Sequence, residues 1–234
     1  VADKAAVLDT KLARLIDALG GREIGGGNTL YPDPTDPPAG VAPIGERVWQ
    51  ATFSPFGGTR AGVPGHGLLL SRTQPRPADT PTASLADLQN PIIDRYLKAL
   101  PAGAAPRVTA SRTVFVADDR ADALRFAEAG LRRAAEGFRR SGHRIPGDSL
   151  DELITATDTH LGTPEDVVRS LAADSTLARA TEIAFQVHSV DAPHDFVLRS
   201  IELFASEVAP ALGWAARDRS PAAEALSPLG KETS

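Results

Sequence analysis

The sequence contains no cysteine, which excludes disulfides, thiolate metal sites and a cysteine nucleophile for these 234 residues. It has no apolar run near the roughly 18 residues that cross a membrane. No segment shows the charged, apolar and small-residue order of a signal peptide. Lysine is scarce: four of the 25 basic residues are Lys, and the formal net charge is −5. That balance gives no electrostatic footprint for nucleic acid, whose binders carry clustered positive charge. There is no His-x-x-x-His pair and no EF-hand spacing, so no metal site is expected. Nor is there a Gly-x-Ser-x-Gly nucleophile elbow, a Gly-x-Gly-x-x-Gly fingerprint or a Walker loop. What is present, 42% hydrophobic and 24% charged residues, matches ordinary folded domains and predicts a soluble, cytoplasmic protein.

Strands are expected near Arg47–Phe53, Gly67–Ser71, Val108–Val116 and Thr181–His188. Helical patterns lie between them, which implies an α/β chain with these strands parallel, adjacent and in that order. The first and last would be open edges, which proteins cover or pair, so each is expected to meet further chain or an interface. Ala5, Leu8, Leu12, Leu15, Ile16 and Leu19 fall at helical spacing before Gly20 and Gly21. Asp118 and Asp119 precede a helix over about 120–141, and Thr163, Pro164, Glu165 and Asp166 open another. A last helix spans about 195–212, with His194 and Asp195 read as its cap. Arg132, Arg133, Arg139 and Arg140 share one helix with Glu128 and Glu136 and read as a solvated face. The Gly- and Pro-rich stretches 25–45 and 74–84 read as loops, and residues 216–234 as a disordered tail after a folded segment 1–215.

The densest chemistry lies in Arg47–Arg76, RVWQATFSPFGGTRAGVPGHGLLLSRTQPR. A strand ending at Ser54 runs into Pro55, Phe56, Gly57, Gly58 and Thr59, a glycine-rich start of a helix. Unpaired amides and the positive dipole end make such a turn an anion cradle, with Ser54 and Thr59 hydroxyls as extra donors. The same residues also suit a tight corner at the surface. Arg60 would pair with that anion or with a neighbouring carboxylate. The second strand delivers Ser71, Arg72, Thr73 and Gln74 together at its carboxyl end, where ligands sit in barrels and open α/β sheets.

The five histidines divide by context. His66, between two glycines at a strand start, reads as structural, and His143 as solvated in a Ser-Gly-His-Arg turn. His160, just before the Thr163 helix start, would help fix its loop. In the run Ile183 to His188, alternation puts Gln186 and His188 on one side at a strand's carboxyl end. There they would face a pocket, or else be satisfied in the core.

The order WQATFS, GGTRAG and GHGLLLSRTQPR resembles the fifth and sixth strands of the luciferase-like flavin-dependent monooxygenases. Arg107–Gly130 is similar to the family's seventh strand and following helix, and Gly162–Leu212 to its closing helices and eighth strand. The resemblance runs from about Val1 to Trp214 and implies a TIM (β/α)8 barrel. Only its last four strands and their helices are identified in this chain, since such a barrel takes about 250 residues. Opening at Val1 directly into a helix, the chain is expected to be the later part of a longer protein. The resemblance implies a monooxygenase using reduced FMN and O2 on a small organic substrate, with the FMN supplied by a separate flavin reductase or by exchange. It also leaves open an F420-dependent dehydrogenase and a non-catalytic flavin-binding relative. It implies that Ser54, Gly57, Gly58, Thr59 and Ser71 bind cofactor and that Thr73, Gln74 and Gln186 bind substrate. His188 and Arg72 would be catalytic, in a cytoplasmic homo-oligomer.

Overall fold

Short apolar strands alternate with capped helices, and the result is a five-stranded parallel sheet. The computed structural model describes residues 4–22, 44–187 and 191–214. They belong to two compact units, the larger being Trp49–Ala215. In the smaller one, helix α1 (Lys4–Leu19) has Leu12, Ile16 and Leu19 half-buried on one face, while Leu8 and Leu15 are exposed. The 25–45 loop lies almost wholly outside the described residues, and the 216–234 tail entirely so.

In the larger unit the strands are β1 (Trp49–Ala51), β2 (Gly67–Leu70), β3 (Val108–Val116), β4 (Thr159–Gly162) and β5 (Glu182–Gln186). As expected, β1, β2, β3 and β5 are adjacent and parallel in that order. The strand β4 is a departure, since Thr159–Gly162 reads in the sequence as a loop. Leu161 is its only large apolar side chain, and it becomes a strand only because the long β3 offers it an edge. Ala110 bridges both Leu70 and Ile183, and Thr113 bridges both Thr159 and Gln186. A strand residue bridges one neighbour on each side, so β2 and β4 share one edge of β3 while β5 runs along the other. Between the last β2 bridge at Ala110 and the first β4 bridge at Thr113, that edge is open at Ser111 and Arg112.

The helices are α2 (Pro55–Gly62), α3 (Leu85–Ala99), α4 (Arg120–Arg140), α5 (Leu150–Ala156), α6 (Pro164–Ala172) and α7 (His194–Leu203). Capping explains most starts. Asp119 accepts from the amides of Ala121 and Asp122 at α4, and Thr163 with Asp166 forms a capping box at α6 behind Pro164. α7 differs from expectation: its cap is Pro193, with no side-chain hydrogen bond, and His194 is already helical. It continues through a π turn, Phe204–Val208, whose wider bonding accommodates Pro210, which has no amide to give.

Period-two alternation gives the sheet two unlike faces. On one, Leu68, Leu70 and Val108 pack on Ala61 of α2 and on Ile92, Ile93 and Tyr96 of α3. On the same face Ala110, Val114 and Val116 pack on Val167 and Leu171 of α6 and Leu203 of α7. On the other face Trp49, Ala51, Leu69, Thr109, Ser111, Ala184 and Gln186 are half-buried or exposed. Only its upper end is covered, where Phe115 and Leu161 meet Ala123, Ala127 and Leu131 of α4 and Leu153 of α5.

Candidate active site

All five strands are parallel, so their carboxyl ends rise on one side of the sheet, and Ser54, Ser71–Gln74 and Gln186 sit there. His188 lies outside the described residues.

At the end of β1, Ser54 is the N-cap of α2, its Oγ accepting from the Gly57 amide at 3.2 Å. Thr59 turns its hydroxyl back to the Pro55 carbonyl at 3.5 Å. The two glycines are not surface residues, as a tight corner would have them, but buried packing positions. A Cβ on Gly58 would stand 2.5 Å from the Ile92 carbonyl oxygen of α3, and one on Gly57 would stand 1.8 Å from Thr52 Oγ1. They let α2 lie against α3 and against the end of β1, and those spaces are filled by protein. Of the glycine-rich turn, the exposed Ser54 hydroxyl and the Phe56 amide are what fit a phosphate, since Pro55 has no amide and the Gly57 amide already donates to Ser54 Oγ.

At the end of β2, Ser71 and Thr73 close a local turn, the Thr73 amide donating to Ser71 Oγ at 3.2 Å with the hydroxyls 3.0 Å apart. The Ser71 carbonyl accepts from buried Gln89 of α3 at 2.9 Å. Gln74 is buried too: its Nε2 donates to the Phe53 carbonyl at 3.4 Å, and its Oε1 has no partner among the described residues. Arg72 reaches towards the gap in the β3 edge and donates from Nη1 to Thr113 Oγ1 at 3.1 Å. By register Gln186 stands beside Thr113 on the open face, so Arg72, Thr113 and Gln186 gather at one point.

A narrow cleft, with an enclosed volume of only about 20 Å³ and the rest open to solvent, begins at this point. Arg72, Thr73, Gln74, Thr113, Thr157 and Thr159 form its polar side. Leu131, Ala134 and Phe138 of α4, with Ile145 and Ala156, form an apolar wall. His143 and Arg144, from the α4–α5 connection, complete it. His143 is half-buried against Phe138, ring centroids 5.5 Å apart, not solvated as its turn suggested. The sequence reading missed Thr113 and Arg144. The alternation Thr109, Ser111, Thr113 in β3 marks a polar face and points to the first, but nothing local points to Arg144.

Burial lowers the pKa of Arg72 from the usual guanidinium value. Arg76, four residues on, is buried in a different company: it pairs with Asp158 and donates to the carbonyls of Ala83 and Gln74 at 3.2 and 3.1 Å. Asp158, in the left-handed region at φ 45°, also accepts from the Leu85 amide at the start of α3. Behind the sheet, fully buried Arg112 pairs with Asp174 at 2.6 Å. Close by, His160 Nδ1 is 2.7 Å from Ser170 Oγ, and burial lowers its pKa from 6.5 to about 4. His66, with Nδ1 2.9 Å from Gln50 Nε2 and its carbonyl accepting from Tyr96, is structural as expected.

No group of three or more His, Cys, Asp and Glu residues that could hold a metal occurs among the described residues. No helix among them is long and apolar enough to cross a membrane.

The fold is that of the luciferase-like (β/α)8 barrels, of which the chain supplies a part. Its structure is similar to monooxygenase RslO1 from Streptomyces bottropensis, with a TM-score of 0.62 and 19% identity over 88% of this chain and 61% of that one. It is similar also to the oxygenating constituent of 3,6-diketocamphane monooxygenase from Pseudomonas putida, a type II Baeyer-Villiger monooxygenase solved in complex with FMN. There the TM-score is 0.58 and the identity 19%, over 92% of this chain and 65% of that one. An F420-dependent secondary alcohol dehydrogenase in complex with an F420-acetone adduct matches with a TM-score of 0.50 and 16% identity. The chain covers 60% of that enzyme, and so spans less than two thirds of each of these neighbours. No family model matches the sequence. No curated protein matches it either.

Proposed function

We propose that this chain is part of a luciferase-like flavin-dependent monooxygenase that uses reduced FMN and O2 to oxidise a small organic substrate. The observation that carries this reading is the convergence of Arg72, Thr113 and Gln186 beside a narrow cleft at the carboxyl ends of parallel strands. A fold shared with an FMN complex supports it, although a fold alone does not assign chemistry. Ser54 and the Phe56 amide at the start of α2, with Thr59 close by, hold the phosphate, the positive end of the helix dipole favouring the anion. When bound, the reduced flavin supplies the electrons for the reaction with O2. Arg72 and Gln186 donate hydrogen bonds at the substrate side and orient what binds there, while the wall of α4 keeps water away. Ser71 shapes this end of the pocket through its turn with Thr73, and Gln74, whose buried Oε1 has no partner among the described residues, lines the same space. His188, two positions beyond the end of β5 in the sequence, is taken as catalytic on the family resemblance. The enzyme works in the cytoplasm as a homo-oligomer and takes its reduced flavin from a separate reductase or by exchange. The F420-dependent dehydrogenase is the second reading, favoured by the fold shared with the F420–acetone complex.

Fluorescence titration of the full chain with FMN, riboflavin and F420 tests both readings. FMN should bind at least tenfold tighter than riboflavin, and Thr59→Glu should remove that advantage while leaving riboflavin unchanged. Equal affinity for FMN and riboflavin would remove α2 as the phosphate site. F420 bound tighter than FMN would transfer the assignment to the dehydrogenase.

A further inference from the structure

Two arginines from the same loop enter the same cleft with opposite electrostatic fates. Arg76 is neutralised by Asp158, their side chains only 7% and 15% exposed. Arg72 is half-buried and has the Thr113 hydroxyl but no carboxylate partner among the described residues. No Asp or Glu lines the cleft, yet Arg144 and His143 join Arg72 there, and Arg144 too has no ion pair among the described residues. A guanidinium withdrawn from water without a counter-ion is costly, and folded proteins leave one so where a ligand brings the charge. The planar fork of Arg matches a carboxylate or sulfonate, and hydroxyls beside it add donors. The opposite wall of Leu131, Phe138 and Ile145 suits a short apolar body.

We propose that this cleft recognises the oxyanion head of a small organic monoanion, a carboxylate or sulfonate. Arg72 and Arg144 supply the charge, the hydroxyls of Thr113 and Thr159 lie beside the head, and the apolar body rests on α4. The inference names the substrate class of the proposed oxidation and rests on that reading only for calling the anion a substrate. Arg72 fixes the head next to the open face. Arg144, exposed on the α4–α5 connection, closes over it from the solvent side.

The test uses benzoate, neutral benzamide and inorganic phosphate as probes on the full chain without flavin, with binding followed by ligand-observed NMR. Benzoate should bind at least tenfold tighter than benzamide. Arg72→Gln should weaken benzoate at least tenfold, Arg72→Lys less, and Arg144→Gln severalfold, with benzamide unchanged by any of them. Thermal unfolding of each variant shows that it is folded, and Arg144→Gln, on an exposed loop, keeps the test open if Arg72→Gln is not. Equal binding of benzoate and benzamide, or benzoate affinity unchanged in both variants, overturns the proposal. Phosphate binding as tight as benzoate, with FMN affinity lost in Arg72→Gln, overturns it too and makes the cleft the cofactor's phosphate site. Absence of flavin binding in the separate titration would sink the monooxygenase reading and leave the anion result standing.

Discussion

On the helix-covered face of the sheet, Leu68, Leu70, Val108, Ala110 and Val114 are fully buried among side chains of α2, α3, α6 and α7. The same strands turn Ala51, Leu69, Thr109, Ser111 and Ala184 to the other face, where none is fully buried. The covered face holds together the larger unit and gives its buried polar groups protein partners: Arg112 has Asp174, and the His160 Nδ1 has Ser170. The open face carries Trp49 and Leu69 beside Ala51, Thr109, Ser111 and Ala184, and at its upper end Arg72 has no carboxylate partner among the described residues. In a closed barrel the first is the wall against the helices and the second is the interior, whose strand ends carry function. Of the two arginines that enter the cleft, Arg76 therefore belongs with the scaffold through Asp158, whereas Arg72 has only the Thr113 hydroxyl.

The sharpest way to break this comparison is to remove a partner on the covered face. Asp174→Asn leaves Arg112, fully buried, without its charge partner, and should cost about 3–5 kcal/mol in urea unfolding. Ser111→Ala on the open face should cost less than about 0.5 kcal/mol. A small loss at Asp174 would mean that the buried pair is not structural.

Next in size is a pH effect. His160 has its folded-state pKa lowered from 6.5 to about 4, so in that window the unfolded chain binds a proton that the folded chain refuses. Stability is then full above the unfolded value and falls with pH, by roughly 2 kcal/mol from about pH 7 to about pH 5 at 1.36 kcal/mol per unit. Replacing His160 by Gln should flatten that slope. The acids whose pKa values are lowered by caps, hydrogen bonds and ion pairs, Asp87, Asp118, Glu152, Glu165 and Asp166, act below this window. An unchanged slope in the variant would mean that His160 is solvated.

The smallest expected effect is the most telling. Arg72→Gln should leave stability within about 0.5 kcal/mol or raise it slightly, because the half-buried guanidinium has no carboxylate partner among the described residues and only the Thr113 hydroxyl to lose. A loss of more than about 2 kcal/mol would place Arg72 with the structural arginines.

Much of the fold was legible locally because its signals are local. Asp119 and the Thr163-Pro164 start cap their helices as the residue types require, and the apolar runs of β1, β2, β3 and β5 pair in the order read. The polar quartet Ser71–Gln74 falls at a strand's carboxyl end for the same reason. Tertiary structure decided the rest. Thr159–Gly162 carries too little apolar character to announce a strand and exists because the upper half of β3 has a free edge. Gly57 and Gly58 look like an anion cradle until α3 and Thr52 are seen to fill the space that a Cβ would need. Arg72 and Arg76 differ by no local feature. Only an aspartate 82 positions beyond Arg76 separates the arginine with a counter-ion from the one without, and such a contact is set by packing, not by any pattern along the chain.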